Sequence, residues 1–95
     1  MTKNNTVEEL TVTYEEGGVV IIKEVDKSIL SKGAWATIIF RFQEWDRNKK
    51  TYSPDKYTIR RYKKSGGEYR QQSKFTISSQ EQAQKLITVL SAWIS

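Results

Sequence analysis

A change of hydrophobic period at Ser78 divides the chain into a β-type part and a helical part. Before Ser78, apolar and polar residues alternate in runs rich in Val, Ile, Thr, Phe and Tyr, which is typical of strands. After it, apolar residues recur at three- and four-residue spacing from Ala83 to Ile94, opposite a polar stripe. Ser78 and Glu81 have the spacing of a capping box, which predicts where the helix begins. We therefore expect an α+β domain with a mostly antiparallel sheet followed by one C-terminal helix.

The first residues are interpreted as an arm that precedes the folded domain. Residues 1–18 are assigned to an N-terminal arm or a short extra strand, and residues 19–95 to the domain itself. Gly66 and Gly67 predict a two-residue hairpin turn, because glycine accepts the positive φ of such turns. The predicted strands are residues 19–25, 34–45, 56–64 and 68–77, with a further short strand at 28–30 as an option.

The composition excludes several kinds of site. The 95 residues fit one domain with a modest core. Because Cys and His are absent, we exclude disulfides, zinc ribbons, cysteine nucleophiles and histidine-based acid–base chemistry. No apolar stretch has the length of a signal peptide or of a membrane span. We therefore expect a cytoplasmic protein, nucleoid-associated or otherwise intracellular, with no cofactor, metal ion or small-molecule substrate.

The whole net charge of +5 lies between residues 55 and 74. This stretch has seven basic and two acidic side chains, whereas residues 1–54 have eight of each and residues 75–95 have one of each. Such an asymmetry is typical of a protein that binds a polyanion. The basic residues of the stretch are Lys56, Arg60, Arg61, Lys63, Lys64, Arg70 and Lys74.

Strand alternation predicts which side chains the sheet presents to a ligand. We expect the helix to cover an apolar sheet face that contains Phe40, Ile59 and Phe75. The opposite face would then expose basic, aromatic and polar side chains from three strands. These side chains are Trp35, Thr37, Arg41 and Trp45 on the first strand, Lys56, Thr58, Arg60, Tyr62 and Lys64 on the second, and Arg70, Gln72 and Lys74 on the third.

The chemistry of this predicted face suits a single-stranded nucleic acid. Lys and Arg neutralise phosphates, Trp and Tyr stack on unpaired bases, and Gln and Thr bond base edges or sugars. A duplex hides its base faces, so stacking aromatics favour a single strand. The structural alternative is that basic strands deter edge association and that aromatics pair within the sheet. Trp45 is assigned equally to core and surface, because one β-bulge would reverse its side.

A catalytic role is the weakest interpretation. Glu44 and Asp46 are two residues apart and could share a sheet face, as a metal-dependent nuclease requires. No third carboxylate is placed beside them by the sequence, and a spacing of two is common in strands. We therefore expect a binding protein and not an enzyme.

Three short segments resemble the single-stranded-DNA-binding domain of the positive cofactor four family of transcriptional coactivators, in its short bacterial and phage form. They are "KGAW" at 32–35, "YTIRRY" at 57–62 and "KFTIS" at 74–78, where the last strand runs into the capped helix. The resemblance extends over residues 19–94. One departure is Phe75, which stands where that family usually has glycine.

The resemblance implies a curved four-stranded antiparallel sheet with a C-terminal helix, in the order ββββα. It also implies a homodimer whose two sheets make one groove for single-stranded DNA. By position, Trp35, Arg60 and Lys74 would contact DNA and Tyr62 would stack on a base, while Lys32 belongs to the shared motif and is included in the binding surface.

The expected function is single-stranded DNA binding with little sequence specificity, in transcription regulation, replication or repair. Two alternatives remain open at this point. One is an RNA-binding protein that uses the same sheet face, since only RNA offers the 2′-OH. The other is a protein-interaction module whose basic sheet meets an acidic partner.

Overall fold

A computed structural model describes residues 6–95 of the chain. It shows a curled antiparallel sheet followed by a C-terminal helix, which is an α+β fold. The sheet order is β1-β2-β3-β5-β6, and β4 pairs with the end of β3. The elements are β1 (Tyr14–Glu16), β2 (Val19–Ser31), β3 (Trp35–Asp46), β4 (Thr51–Tyr52), β5 (Lys56–Ser65), β6 (Glu68–Ile77) and α1 (Gln80–Ile94).

Most of the predicted strands are confirmed, but the described part of the sheet has six strands and not four. The predicted ends of β3, β5 and β6 are correct to within one residue. β2 continues six residues beyond its predicted end, because irregularities between Glu24 and Asp26 and between Ile29 and Ser31 let it follow β3. The two-residue turn at Gly66 and Gly67 is confirmed, with φ angles of 61° and 77°.

The helix begins one residue later than its sequence pattern predicts. Ser79, and not Ser78, is the N-cap, and its Oγ accepts a hydrogen bond of 3.1 Å from the backbone N–H of Gln82. The Gln82 side chain in turn accepts a bond of 3.0 Å from the backbone N–H of Ser78. Gln82 therefore takes the role that the capping-box pattern gave to Glu81.

The register between β3 and β5 separates the side chains of the sheet into two faces. Phe40 lies opposite Thr58, and Ile39 lies opposite Ile59. On the other side of β5, Ile59 lies opposite Phe75 of β6. Directly paired residues of antiparallel strands point to the same side of the sheet. The predicted common face of Phe40, Ile59 and Phe75 is therefore wrong, because Phe40 points to the other side.

We name the two faces by what lies against them. The arm face contains Phe40 and the even-numbered residues of β3 and β5, and it is covered by the N-terminal segment, residues 7–12. The helix face contains Ile39, Ile59 and the odd-numbered residues of the same strands, and α1 lies beside it.

The core lies between the arm face and the N-terminal segment. Ala36, Ile38 and Phe40 have no exposed surface. They share one apolar cluster with Val7, Leu10 and Val12, each at most 4% exposed. The expectation that the helix covers Phe40 is thus wrong, since the N-terminal segment supplies this second layer.

Lys27 ties the N-terminal segment to the sheet through three hydrogen bonds. The Nζ atom of Lys27 on β2 donates hydrogen bonds to the backbone oxygens of Val7, Glu8 and Leu10, at 2.9, 2.9 and 2.6 Å. These bonds use all three donors of the ammonium group. They also satisfy carbonyls of the short 3₁₀ turn at Val7–Glu9, which has no sheet partner.

The helix leaves the sheet with much of its apolar side uncovered. No residue of α1 is buried, and Ile87, Leu90, Trp93 and Ile94 are each at least half exposed. Between α1 and the helix face runs an open groove of about 530 Å³. Its apolar walls are Ile39, Tyr57, Ile59 and Ile77 from the sheet and Ala83, Leu86, Ile87 and Leu90 from the helix.

Substitution of Leu10 by alanine tests whether the N-terminal segment belongs to the core. Leu10→Ala should lower the free energy of unfolding by about 2–5 kcal/mol, as for other buried leucines. The control is Leu30→Ala on β2, where the leucine is 57% exposed and the loss should stay within about 1 kcal/mol. Urea denaturation measures both values. Equal small losses would show that residues 7–12 do not pack on the arm face.

Candidate nucleic-acid interface

The β5–β6 hairpin carries its cations on both faces of the sheet. Lys56, Arg60, Lys64 and Lys74 belong to the arm face, whereas Arg61, Lys63 and Arg70 belong to the helix face. The prediction of one continuous basic and aromatic face is therefore wrong. Trp35, Thr37, Arg41 and Trp45 lie on the opposite side from Lys56, Thr58, Arg60, Tyr62, Lys64 and Lys74.

Two pairs of like charges face each other across the hairpin. Arg60 lies directly opposite Lys74 on the arm face, and Lys63 lies directly opposite Arg70 on the helix face. Like charges in directly opposite positions destabilise a sheet. An anion bound between the two cations of either pair would remove this repulsion.

Most hairpin cations lack a carboxylate partner. Lys56 Nζ bonds Glu44 at 2.7 Å, and Arg70 has a long contact of 3.8 Å to Glu68. Within residues 6–95, the other five hairpin cations form no ion pair. Elsewhere on the chain, Arg41 bridges Asp26 and Asp55 at 3.7 Å each, and Lys32 pairs with Glu8 at 3.6 Å. The predicted contacts Lys32, Arg41 and Lys56 are thus partly neutralised.

The arm-face pair borders a small cleft beside the N-terminal segment. Arg60 and Lys74 line it together with Thr58, Thr76 and Glu44, and its volume is about 140 Å³. The negative charge of Glu44 is offset by the bond from Lys56. Arg60 Nη1 also donates to Gln71 Oε1 at 3.0 Å, which holds the guanidinium across the edge strand. The remaining guanidinium donors and the Lys74 ammonium suit phosphate oxygens.

Two polar atoms in this region are buried without a hydrogen-bond partner. They are Thr58 Oγ1, on a residue that is 1% exposed, and Arg60 Nε. Thr58 is therefore a buried residue under the N-terminal segment, and not the exposed contact that alternation predicted. Its hydroxyl has lost water without gaining a bond, which is costly for a polar group.

Tyr62 is also buried and cannot stack on a base in this structure. It is 5% exposed and belongs to the apolar core cluster. Burial raises the pKa of its phenol, and the positive charge of the nearby Arg60 opposes this shift. The phenol is therefore neutral at pH 7. The expectation that Tyr62 is a stacking side chain does not fit this position.

Trp35 is the exposed tryptophan of the sheet. It is 42% exposed at the start of β3, and the Arg61 guanidinium carbon lies 4.6 Å from its ring centroid. Trp45 is half-buried and packs edge-on against Tyr52, with ring centroids 5.0 Å apart. Of the predicted stacking residues, Trp35 alone presents a large open surface.

The remaining predicted contacts are Lys64, Gln72 and Thr37. Lys64 Nζ lies 5.4 Å from the centroid of the Tyr69 ring, whose hydroxyl donates to the backbone oxygen of Gly33 at 2.6 Å. Gln72 lies where the β5–β6 register shifts, between the positions opposite Arg61 and Tyr62, and its side chain bonds the backbone of Arg70. Thr37 is half-buried on the helix face, opposite Arg61.

Strand alternation does not predict Arg61 and Lys63 as part of the binding surface. Both belong to the basic stretch, but alternation along β5 placed them on the side expected to be core. Arg61 follows Arg60 directly, and Lys63 precedes Lys64 directly. Because adjacent side chains on a strand point to opposite faces, the sequence already indicates cations on both faces of β5.

The carboxylates do not form a metal centre in the described residues. Glu44 is engaged by Lys56, and no group of three Asp, Glu, His or Cys side chains within residues 6–95 is arranged to hold a metal ion. In the same part of the chain, no helix is long and apolar enough to cross a membrane.

Comparisons of the chain with protein-family models, with curated proteins and with solved structures give no match.

Thr58→Val tests whether the buried hydroxyl is unsatisfied. The substitution should leave the free energy of unfolding unchanged or raise it by up to about 1 kcal/mol, because an unbonded buried hydroxyl costs about 1–3 kcal/mol. Thr58→Ser keeps the hydroxyl but removes a methyl group, and it should lose about 1 kcal/mol. Urea denaturation compares the two. A clear loss with valine alone would mean that the hydroxyl is bonded.

Proposed function

We propose that this protein binds single-stranded DNA through the β5–β6 hairpin, with little sequence specificity. The observation that carries the proposal is the Arg60–Lys74 pair, two cations held directly opposite each other without a carboxylate partner in residues 6–95. A phosphodiester offers the negative charge that this pair lacks. Lys64 and Lys56 extend the same side of the hairpin in both directions along β5.

A single strand fits this surface better than a duplex does. Base stacking needs an accessible aromatic ring, and Trp35 of β3, which lies opposite Lys63 near the turn end of β5, provides one on the helix face of the sheet. Contacts to backbone phosphates and to ring faces carry little sequence information, which agrees with binding of low specificity. The resemblance to the positive cofactor four family supports the same activity and suggests a role in transcription, replication or repair.

Removal of the arm-face pair should weaken binding. Arg60→Gln with Lys74→Gln should reduce affinity for a labelled 20-nucleotide single strand by about tenfold or more, because the loss of even one hydrogen bond to a charged group costs about 1.5–3 kcal/mol. The slope of log affinity against log salt should fall by about 1.4, or 0.7 for each lost phosphate contact. Fluorescence anisotropy at several salt concentrations measures both quantities.

The matched control for this experiment is Lys49→Gln with Lys85→Gln. It removes the same charge from two exposed positions outside the hairpin and should change the affinity less than twofold. An unlabelled duplex of the same sequence should compete poorly, whereas an RNA strand tests the alternative ligand. Equal losses in the two double variants, or equal competition by the duplex, would contradict the proposed function.

We also propose that the protein acts as a homodimer formed through α1. The groove beside α1 is lined by apolar residues and two glutamines, so a charged partner would leave its charges unpaired there. A second copy supplies a matching apolar surface, namely its own Ile87, Leu90 and Trp93. The basic hairpin cations do not line this groove, so pairing of the helices does not require cations of the two copies to meet.

Sedimentation of two helix variants tests the dimer. The parent chain should have twice the monomer mass of 11.1 kDa, and Leu90→Glu should shift it to the monomer, because a carboxylate in the apolar interface would be desolvated without a partner. Thr88→Glu adds the same charge on the polar side of α1 and should remain dimeric. A monomeric parent chain at micromolar concentration would remove the dimer from the proposal.

A further inference from the structure

A second cationic cluster surrounds Trp35 on the helix face of the hairpin. Trp35 lies directly opposite Lys63 in the register of β3 and β5, and Lys63 lies opposite Arg70 in the register of β5 and β6. The Lys63 Nζ atom is 5.5 Å from the centroid of the Trp35 ring, and the Arg61 guanidinium carbon is 4.6 Å from it. Two cations therefore adjoin one exposed indole, and Arg70 lies one strand further along the same face.

The two cations on the indole keep their hydrogen-bonding capacity. Neither Arg61 nor Lys63 forms an ion pair within residues 6–95, in contrast to Arg41 on the same face, which is held between two aspartates. A guanidinium that packs on an aromatic ring uses its flat face and leaves its N–H groups free at the edge. Arg61 can therefore contact the ring and a phosphate at the same time.

This cluster lies on the opposite face of the sheet from the Arg60–Lys74 pair, and the two share strands β5 and β6. β6 is the outermost strand of the sheet on this side, so no further strand of the described sheet separates the two faces there. Lys74 on the arm face and Arg70 on the helix face mark the two sides of that edge. A flexible polyanion can pass round β6 and meet cations on both sides.

The composition of the cluster favours a nucleic acid over an acidic protein segment. Carboxylates would neutralise Arg61, Lys63 and Arg70 but would make no use of the exposed Trp35 ring. A nucleotide supplies both a phosphate for the cations and a flat base for the ring or for the guanidinium plane.

We propose that Trp35, Arg61 and Lys63 form a second nucleic-acid contact, and that a strand bound at Arg60 and Lys74 passes round the β6 edge to place a base against Trp35. This inference rests on the proposed single-strand binding and deepens it, because it assigns the path of the strand and two contact residues, Arg61 and Lys63, that strand alternation does not predict.

Charge removal on the helix face tests the second contact. Arg61→Gln with Lys63→Gln should weaken binding of the labelled 20-nucleotide single strand by about tenfold and lower the salt slope by about 1.4. Lys49→Gln with Lys85→Gln again provides the control for loss of two charges. An effect no larger than that of the control would overturn the second contact.

Removal of the ring tests the stacked base separately. Trp35→Leu should weaken binding by about 5- to 150-fold, since stacking on an aromatic side chain contributes about 1–3 kcal/mol per base. Trp35→Phe keeps a ring and should restore most of the affinity, and thermal melting of each variant verifies folding. If the charge variant binds weakly while Trp35→Leu binds normally, the cations meet phosphates alone and the stacked base is refuted.

The two proposals fail in different ways. The first outcome is that the arm-face variant, Arg60→Gln with Lys74→Gln, weakens binding and the helix-face variant, Arg61→Gln with Lys63→Gln, does not. This outcome would support single-strand binding and contradict the path round β6. If neither pair differs from the control, both proposals fall. Polyglutamate serves as the probe for an acidic protein: if the helix-face variant loses polyglutamate but not the oligonucleotide, the cluster is a protein contact.

Discussion

The register between β3 and β5 is the constraint on which the rest of the structure depends. It sets Phe40 opposite Thr58 and Ile39 opposite Ile59, so the faces of the two strands are fixed together. A slip of one residue would exchange the two faces of β3 against β5, because side chains alternate with a period of two. Burial of Ala36, Ile38 and Phe40 under the N-terminal segment holds this register, since a slip would expose all three. The division of the hairpin cations between two faces follows directly from it.

The N-terminal segment, and not the C-terminal helix, covers the core of the sheet, although the sequence of the helix has the more regular apolar stripe. Val7, Leu10 and Val12 are few and scattered, yet they close the core and are anchored through Lys27. α1 has a regular apolar stripe, yet none of its residues is buried. The helix is therefore left with apolar surface of the kind that marks protein interfaces, in agreement with the proposed dimer. The core and the proposed dimer interface then lie on opposite sides of one sheet.

The hairpin concentrates cations that lack a carboxylate partner in residues 6–95. Arg41, Arg47 and Lys85 have carboxylate partners, whereas Arg60, Arg61, Lys63, Lys64 and Lys74 have none within residues 6–95. Two of the cross-strand pairs set like charges against each other, one on each face. A sheet with this arrangement is stabilised when an anion binds between the cations, because binding removes repulsion that folding has imposed. The proposed affinity for a polyanion and the repulsion between the paired cations thus have the same physical origin.

The sequence by itself determined the α+β class, the ends of β3, β5 and β6, the glycine turn, the C-terminal helix and the concentration of charge on one hairpin. These features depend on local periodicity, on the backbone freedom of glycine and on composition, which neighbouring residues fix among themselves. Only the tertiary structure decided that Phe40 and Ile59 point to opposite sides, that Thr58 and Tyr62 are buried and that Trp35 is grouped with Arg61 and Lys63. Alternation within one strand defines two faces but does not say which face of the next strand joins each of them. That choice depends on interstrand register, and on a covering layer supplied by residues 7–12, which are distant along the chain.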